Sequence, residues 1–306
     1  MNMKKKDLLT LFDYSTGEIR GILGLAAKLK EGRGISEKRV LEGKTGVLIF
    51  EKPSLRTRVS FETAIHELGG HAIFLGESPG MGSRESVEDV AHNLERLVHL
   101  VVARTFSHDT LTRLASSCRA PVINALTDLS HPCQALAFGL VMQTRWPDRR
   151  LNVVFAGDGN NVCSSIMVLC AALGHNFTAA GPKGYEPRAE LTEKCRELAA
   201  DAGGSVTITH NLHAAVQNAD IIYTDVWASM GQEAEAEKRK AVFRDYQVNA
   251  ELLERAPAGT LVSHCLPARR GEEITSEVLD SDICVAYEEA ENRLHVQKAV
   301  IVHLFS

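Results

Sequence analysis

Ser54, Leu55, Arg56, Thr57 and Arg58 lie between a strand-type run, Gly46 to Phe50, and a helix-type run, Val59 to Leu68. Two guanidinium groups and two hydroxyls therefore sit where a strand hands over to a helix. A helix N-terminus presents unpaired backbone N–H groups and the positive end of the macrodipole, so added hydroxyls and an arginine make a site for a phosphate-sized anion. Residues two apart on a helix do not share a face, so one of Arg56 and Arg58 is expected to bind and the other to support. A plain Ser54 cap followed by a solvated basic turn is the simpler reading of these five residues.

Other reactive side chains recur where predicted strands end. In a doubly wound sheet, ligands collect at the carboxyl ends of the strands. Arg104 closes the run from Leu100 and adds a second guanidinium at that edge. After Pro121 to Asn124 come His131, Pro132, Cys133 and Gln134, then an apolar helical run from Ala135. A neutral imidazole and an amide at a helix start can polarise a carbonyl oxygen and hold an NH2 group, which suits a small amide or carbamoyl compound.

A second set lies further along. Gly157, Asp158, Gly159, Asn160 and Asn161 resemble half of a dinucleotide fingerprint, but the third glycine is missing. No Asp or Glu occurs from Gly174 to Tyr185 to hold a ribose, so NAD is not expected, and Asn161 is offered to another ligand. Asp225, followed by Ser229, Met230 and Gly231, suits the ammonium of an amino acid. His264, Cys265, Leu266 and Pro267 place a thiol at the same edge, either as a reactive group or as a small apolar filler. Asn292 and Arg293 open the last helical stretch, where an arginine could meet a carboxylate.

The elements that must position these residues follow a βα rhythm. After an N-terminal helix, strands are predicted at Gly46 to Phe50, Ala72 to Leu75, Leu100 to Arg104 and Pro121 to Asn124. A second series covers Asn152 to Ala156, Asn176 to Ala180, Val206 to Thr209, Ile221 to Thr224, Thr260 to Ser263 and Ile283 to Ala286. Apolar stripes such as Val87, Val90, Ala91, Leu94 and Leu97 mark helices between them. The fold class is α/β: two doubly wound parallel-sheet domains with the active site in the cleft between them. Trp146, Pro147 and Asp148 mark the boundary, giving a first domain of 1–146 with 289–306 and a second of 147–288. The charge-dense stretch Gln232 to Lys240 reads as a solvated helix or a mobile loop.

Bulk composition excludes several classes. With 44% apolar and 24% charged residues in 306, the chain is an ordinary water-soluble globular protein. A net charge of -5 argues against a general nucleic-acid or anionic-membrane binder, so the basic residues near position 56 are a local device. No signal peptide or membrane-spanning run is evident, and seven cysteines without zinc-type or disulfide-type spacing indicate a reducing, cytoplasmic setting. No internal repeat is visible.

Taken together, Ser54 to Glu62, Arg104, His131 to Gln134, Gly157 to Asn161, Asp225 to Gly231, His264 to Pro267 and Glu291 to Leu294 resemble, in order, the segments of the aspartate/ornithine carbamoyltransferase family, on its ornithine branch. The resemblance implies that Ser54, Leu55, Arg56, Thr57, Arg104, His131, Pro132, Cys133 and Gln134 bind carbamoyl phosphate, completed by Cys265, Leu266 and Arg293. It implies that Asn161, Asp225, Ser229 and Met230 bind L-ornithine, and that Arg56, Arg104, His131, Asp225 and Cys265 serve catalysis. No cofactor and no metal is expected. The family's members are usually trimers, so a homotrimer or a multiple of trimers is implied, with arginine metabolism as its setting.

Two positions depart from the family. Gly80 stands where many relatives carry a Gln or His that reaches the adjacent subunit's carbamoyl phosphate; Ser83, Arg84 or the backbone would have to replace it. His99 stands where relatives often have Asp. The aspartate branch has a His-Pro-Leu-Pro-Arg run where this chain has His264 to Ala268, and the Ser229, Met230, Gly231 triplet argues against acetylornithine, succinylornithine and putrescine as acceptors.

Overall fold

The strands of this chain are short, nearly continuous apolar runs, and strands of that kind need cover on both faces. The computed structural model describes residues 7–35, 39–76, 81–228 and 233–306. They divide into two units, one made of the chain up to Leu140 with Glu291–Ser306, the other of Val141–Ala290.

The first unit contains α1 (Thr16–Glu31), β1 (Thr45–Phe50), α2 (Leu55–Glu67), β2 (His71–Leu75), α3 (Val87–Leu97), β3 (Leu100–Arg104), α4 (His108–Ser117), β4 (Val122–Leu126) and the first part of α5 (Pro132–Arg145). The second adds β5 (Asn152–Ala156), α6 (Asn161–Leu173), β6 (Asn176–Ala180), α7 (Ala189–Ala202), β7 (Ser205–Thr209), α8 (Leu212–Ala215), β8 (Ile221–Thr224), α9 (Ala236–Phe243), α10 (Ala250–Leu253), β9 (Leu261–His264) and α11 (Ser276–Leu279). A last helix, α12 (Ala286–Leu304), returns the chain to the first unit.

Both sheets are parallel throughout, ordered β2-β1-β3-β4 and β7-β6-β5-β8-β9. Strand order therefore reverses between β1 and β3 in one sheet and between β5 and β8 in the other. Those two switch points are where crevices open in such sheets. The first core gathers Val47, Ile49, Val101, Leu111 and Leu114; the second gathers Val154, Ile222, Val262 and Ile274. Helix starts follow their capping residues: Ser15 and Glu18 form a capping box, and Ser86, Ser107 and Asn160 cap α3, α4 and α6.

Three expectations change. Ile283 to Ala286 is not a strand: Cys284 makes a single bridge to Val262, and the helix begins at Ala286 with Glu288 and Glu289 in its first turn. A four-residue apolar run is equally at home leading into a buried helix, and acids favour a helix N-terminus. Grouped by contact, the chain parts after Leu140, within α5, and after Ala290, within α12, and both helices run unbroken through the joint. The charge-dense stretch contributes α9, where Arg239 is buried rather than solvated: it donates to Asp158 at 3.0 Å and to the Trp227 carbonyl at 2.8 Å, with its guanidinium over the Tyr185 ring. Gln232 lies outside the described residues. His99, given no role above, accepts the Thr45 N–H on Nδ1 at 3.2 Å and so fixes the start of β1.

Candidate active site

In the first unit the candidate residues converge at the switch point. Phe50 of β1 pairs with Arg104 of β3, so α2 begins beside the strand that carries the second guanidinium. Ser54 occupies the cap position but does not cap; its hydroxyl donates to Thr57 Oγ1 at 2.9 Å. The N-terminus of α2 is thereby left to an outside acceptor. Arg58 turns away, donating to Glu62 at 2.9 Å and lying 3.8 Å from the centre of the Phe74 ring. Arg56 is half-buried, and its side chain makes no hydrogen bond or ion pair among the described residues. Of the two arginines, Arg58 is thus engaged by Glu62 and Phe74, and Arg56 is not so engaged among the described residues.

Arg293, from the last helix, closes the group. It donates from Nη2 to Thr57 Oγ1 at 2.9 Å and from Nη1 to Gln134 Oε1 at 2.7 Å. His131 caps α5 through its carbonyl, which accepts from Gln134 N–H at 3.1 Å and Ala135 N–H at 3.2 Å. The loop before it is tightened by Thr127, whose N–H donates to the Ser130 carbonyl and whose hydroxyl accepts from the Leu129 and Ser130 N–H groups. Burial, then the charges of Arg293 and Arg104, holds the His131 imidazole well below its ordinary 6.5. At neutral pH it is uncharged, the state in which it can donate to a carbonyl without adding charge. Arg104 itself is only 5% exposed.

Not every residue of the 131–134 segment faces this group. Cys133 is fully buried with Sγ 3.9 Å from the Asn124 carbonyl, and burial pushes its thiol up to about 12. Its side chain is a core filler, so only its backbone is offered to a ligand. Pro132 is buried beside it.

The second unit presents its own set at its own switch point. Asp225, just past β8, accepts from Asn160 Nδ2 at 2.8 Å, from Cys265 Sγ at 2.8 Å and from Val226 N–H at 2.8 Å. Asn160 uses its other side-chain atom to cap α6, accepting from Val162 and Cys163 N–H. One residue thus starts the helix and orients the acid. Asn161, the residue expected to offer itself, follows it half-buried as the first residue of α6. Burial and the adjacent Asp225 carboxylate push the Cys265 thiol well above its ordinary range, so it is a neutral donor and not a thiolate. Leu266 is half-buried with φ 53, its N–H donating to His264 Nδ1 at 2.8 Å. Ser229, Met230 and Gly231, and Gly80 in the first unit, lie outside the described residues.

Two alternatives meet geometric obstacles. The glycine turn after β5 is filled by the chain itself: Gly159 N–H donates to the Tyr185 carbonyl at 2.8 Å, and a Cβ at Gly159 would sit 2.1 Å from Pro187 N. A pyrophosphate has no room against that turn. Asp225, His264 and Cys265 cluster closely enough to resemble a metal site. However, His264 spends Nδ1 on the Leu266 N–H and Nε2 on Glu273 at 3.0 Å, leaving no ring lone pair for an ion.

Residues 6–144 match the family model for the aspartate/ornithine carbamoyltransferase carbamoyl-P binding domain, and 149–304 match the Asp/Orn binding domain of the same family. The chain belongs to the aspartate/ornithine carbamoyltransferase family. This carbamoyltransferase is 47% identical over 307 residues to the ornithine carbamoyltransferase of Pyrococcus horikoshii, covering 99% of this chain and 97% of that one. It is 46% identical to the anabolic ornithine carbamoyltransferase of Pyrococcus furiosus, covering 98% and 96%. The solved structure of ornithine carbamoyltransferase from Pyrococcus furiosus superposes with a TM-score of 0.94 at 46% identity, covering 99% of this chain and 97% of that one.

Sequence reasoning about the carbamoyltransferase missed two groups. Asn160 was read as part of a glycine turn, although an asparagine before an apolar helix is a cap signal. Glu273 is fully buried on His264, and nothing in its neighbourhood of exposed-looking charges marks it.

Proposed function

We propose that this chain transfers the carbamoyl group of carbamoyl phosphate to the side-chain amine of L-ornithine, giving L-citrulline and phosphate. The observation that carries the reading is the bridge from Thr57 through Arg293 to Gln134, beside a neutral His131 and a buried Arg104. Three distant segments spend buried polar groups on one anion-sized, carbonyl-polarising corner.

The first unit is then the carbamoyl-phosphate domain. Ser54, Leu55, Arg56 and Thr57, with the N–H groups of α2, hold the phosphate; Arg104 shares its charge; His131, Thr57 and Arg104 face the carbonyl oxygen; Gln134 holds the carbamoyl NH2. The second unit is the ornithine domain. Asn161, Asp225, Ser229 and Met230 hold the amino acid, with Cys265 and Leu266 at the reacting end. The uncharged amine attacks the carbamoyl carbon, a tetrahedral oxyanion forms, and as the C–O bond to phosphate breaks the amine's proton passes to the departing phosphate. Because the Cys265 thiol keeps its proton, its part is to donate to Asp225 and fix that carboxylate, while Asp225 draws on the amine. Loss of one oxyanion donor in such a site costs about a hundredfold or more.

The reading extends to setting and assembly. Free cysteines fit a cytoplasmic enzyme, and the anabolic name of a relative fits arginine biosynthesis. A homotrimer fits the exposed apolar side chains of Leu55, Val59 and Ile73 on α2 and on β2, an edge strand of its sheet. No described helix is long and apolar enough to cross a membrane.

The test is product formation from carbamoyl phosphate with L-ornithine beside N-acetylornithine, N-succinylornithine, putrescine and L-aspartate. Citrulline from ornithine alone supports the reading; preference for another amine refutes the Asp225 and Ser229 assignment.

A further inference from the structure

Three consecutive residues at the end of β9 each donate to a different buried carboxylate. Ser263 Oγ donates to Glu289, which also accepts from Tyr223 OH at 2.7 Å. Cys265 Sγ donates to Asp225. Between them, Leu266 N–H donates to His264 Nδ1, so the ring proton is on Nε2, which donates to Glu273 Oε1 at 3.0 Å. The same Glu273 oxygen accepts the Arg269 N–H at 2.6 Å. One carboxylate oxygen thus ties the first and last residues of the 264–269 segment, and the segment between them carries Cys265 and Leu266.

Glu273 is a poor device for stability alone. It is 0% exposed, as is His264, and its second oxygen, Oε2, has no hydrogen-bond partner among the described residues. Burying a carboxylate with an oxygen unsatisfied is costly, and apolar replacements of such pairs are often neutral or stabilising. Its return is geometric: a ring with a fixed tautomer sets the Leu266 N–H, and with it the backbone that aims the Cys265 thiol at Asp225.

We infer that Glu273 and His264 are a positioning pair for the amine half of the reaction, acting through the 264–269 segment and touching neither substrate. The inference rests on the reading above, in which Cys265 and Asp225 meet the attacking amine. A shift of about 1 Å in such a segment costs about a hundredfold in rate, and the cost falls more heavily on the acceptor than on carbamoyl phosphate, most of whose expected partners lie in the first unit.

The experiment is steady-state kinetics of full-length Glu273→Ala, Glu273→Gln and His264→Asn, with melting temperatures recorded alongside. The wild-type enzyme is first assayed against the acceptor amines, so that a failure of the ornithine assignment shows in the wild type and a failure of the pair shows in the variants. In Glu273→Ala the KM for the wild-type acceptor should rise and kcat fall, each about tenfold or more, with the KM for carbamoyl phosphate rising distinctly less than that for the acceptor. Glu273→Gln keeps an oxygen for Nε2–H and Arg269 N–H and should recover most of the loss. If Glu273→Ala does not fold, His264→Asn supplies the test, since its Oδ1 can still accept from Leu266 N–H while the tie to Glu273 is gone; the same split is expected. A folded variant with an unchanged acceptor KM and kcat, or with both substrates' KM values raised equally, overturns the inference.

Discussion

Arg293 and Gln134 meet at 2.7 Å across 159 residues of sequence, and the same guanidinium holds Thr57 at 2.9 Å. A planar guanidinium meets the two acceptors from two separate nitrogens held in one plane, whereas an ammonium would have to serve both from one. Arg293→Lys should therefore behave almost as badly as Arg293→Ala, raising the KM for carbamoyl phosphate and lowering kcat by about a hundredfold in total. Steady-state titration of carbamoyl phosphate at saturating acceptor reads both effects; a Lys variant of wild-type activity would show that the bridge is dispensable.

Cys265 should act as a donor and not as a base. Burial and Asp225 keep the thiol protonated well above the ordinary range, so no limb of the pH–rate profile between about pH 7 and 9 should belong to it. Cys265→Ser, which keeps an O–H for Asp225, should retain more activity than Cys265→Ala, and neither should move the pH optimum. A profile whose basic limb disappears in the Ser variant would restore the thiolate to the mechanism.

His131 should stay neutral throughout the working range. Its native pKa lies below the ordinary 6.5, so below that value the unfolded chain takes up a proton that the native chain does not. Stability then falls as pH drops through the ordinary histidine range toward the native value. The loss of stability measured by denaturant as pH falls from about 7.5 to about 5 should be larger in wild type than in His131→Asn, while kcat of the wild type shows no limb from His131 in the ordinary histidine range.

Asp158 should carry the opposite sign. Burial lifts its carboxyl to about 6 against the pull of Arg239, so between 3.8 and 6 the native chain binds more proton than the unfolded one. Its contribution to stability is present below the ordinary carboxylate value and declines as pH rises to about 6. The melting-temperature difference between wild type and Asp158→Asn should shrink or reverse across that window and level off above it. Arg239→Ala, which strands the buried carboxylate, should destabilise by about 3–5 kcal/mol at neutral pH.

The parts legible in the sequence were those that local physics decides. Strands such as Leu100 to Arg104 announce themselves because a parallel strand is covered on both faces. Arg56, Arg104, His131 and Asp225 stand out only as candidates, because ligands gather where such strands end. Ile283 to Ala286 failed for the converse reason: four apolar residues have no period, and only the Val262 neighbour and the following acids decide their state. Arg239 and Glu273 were illegible because burial of a charge depends on partners that spacing does not announce, here Asp158 across 81 residues and His264 across nine. Cys133 was placed correctly in the chain but faces the Asn124 carbonyl, a matter of side-chain direction that spacing does not report.

The 236 residues separating Thr57 from Arg293 set an order of events during synthesis. A ribosome can release every strand of the first sheet and still have produced no complete anion corner, because the guanidinium that joins Thr57 to Gln134 is encoded within the final helix. A premature stop after His264, where the last strand ends, and before Arg293 would leave a chain that carries every described strand and a corner that stays unclosed.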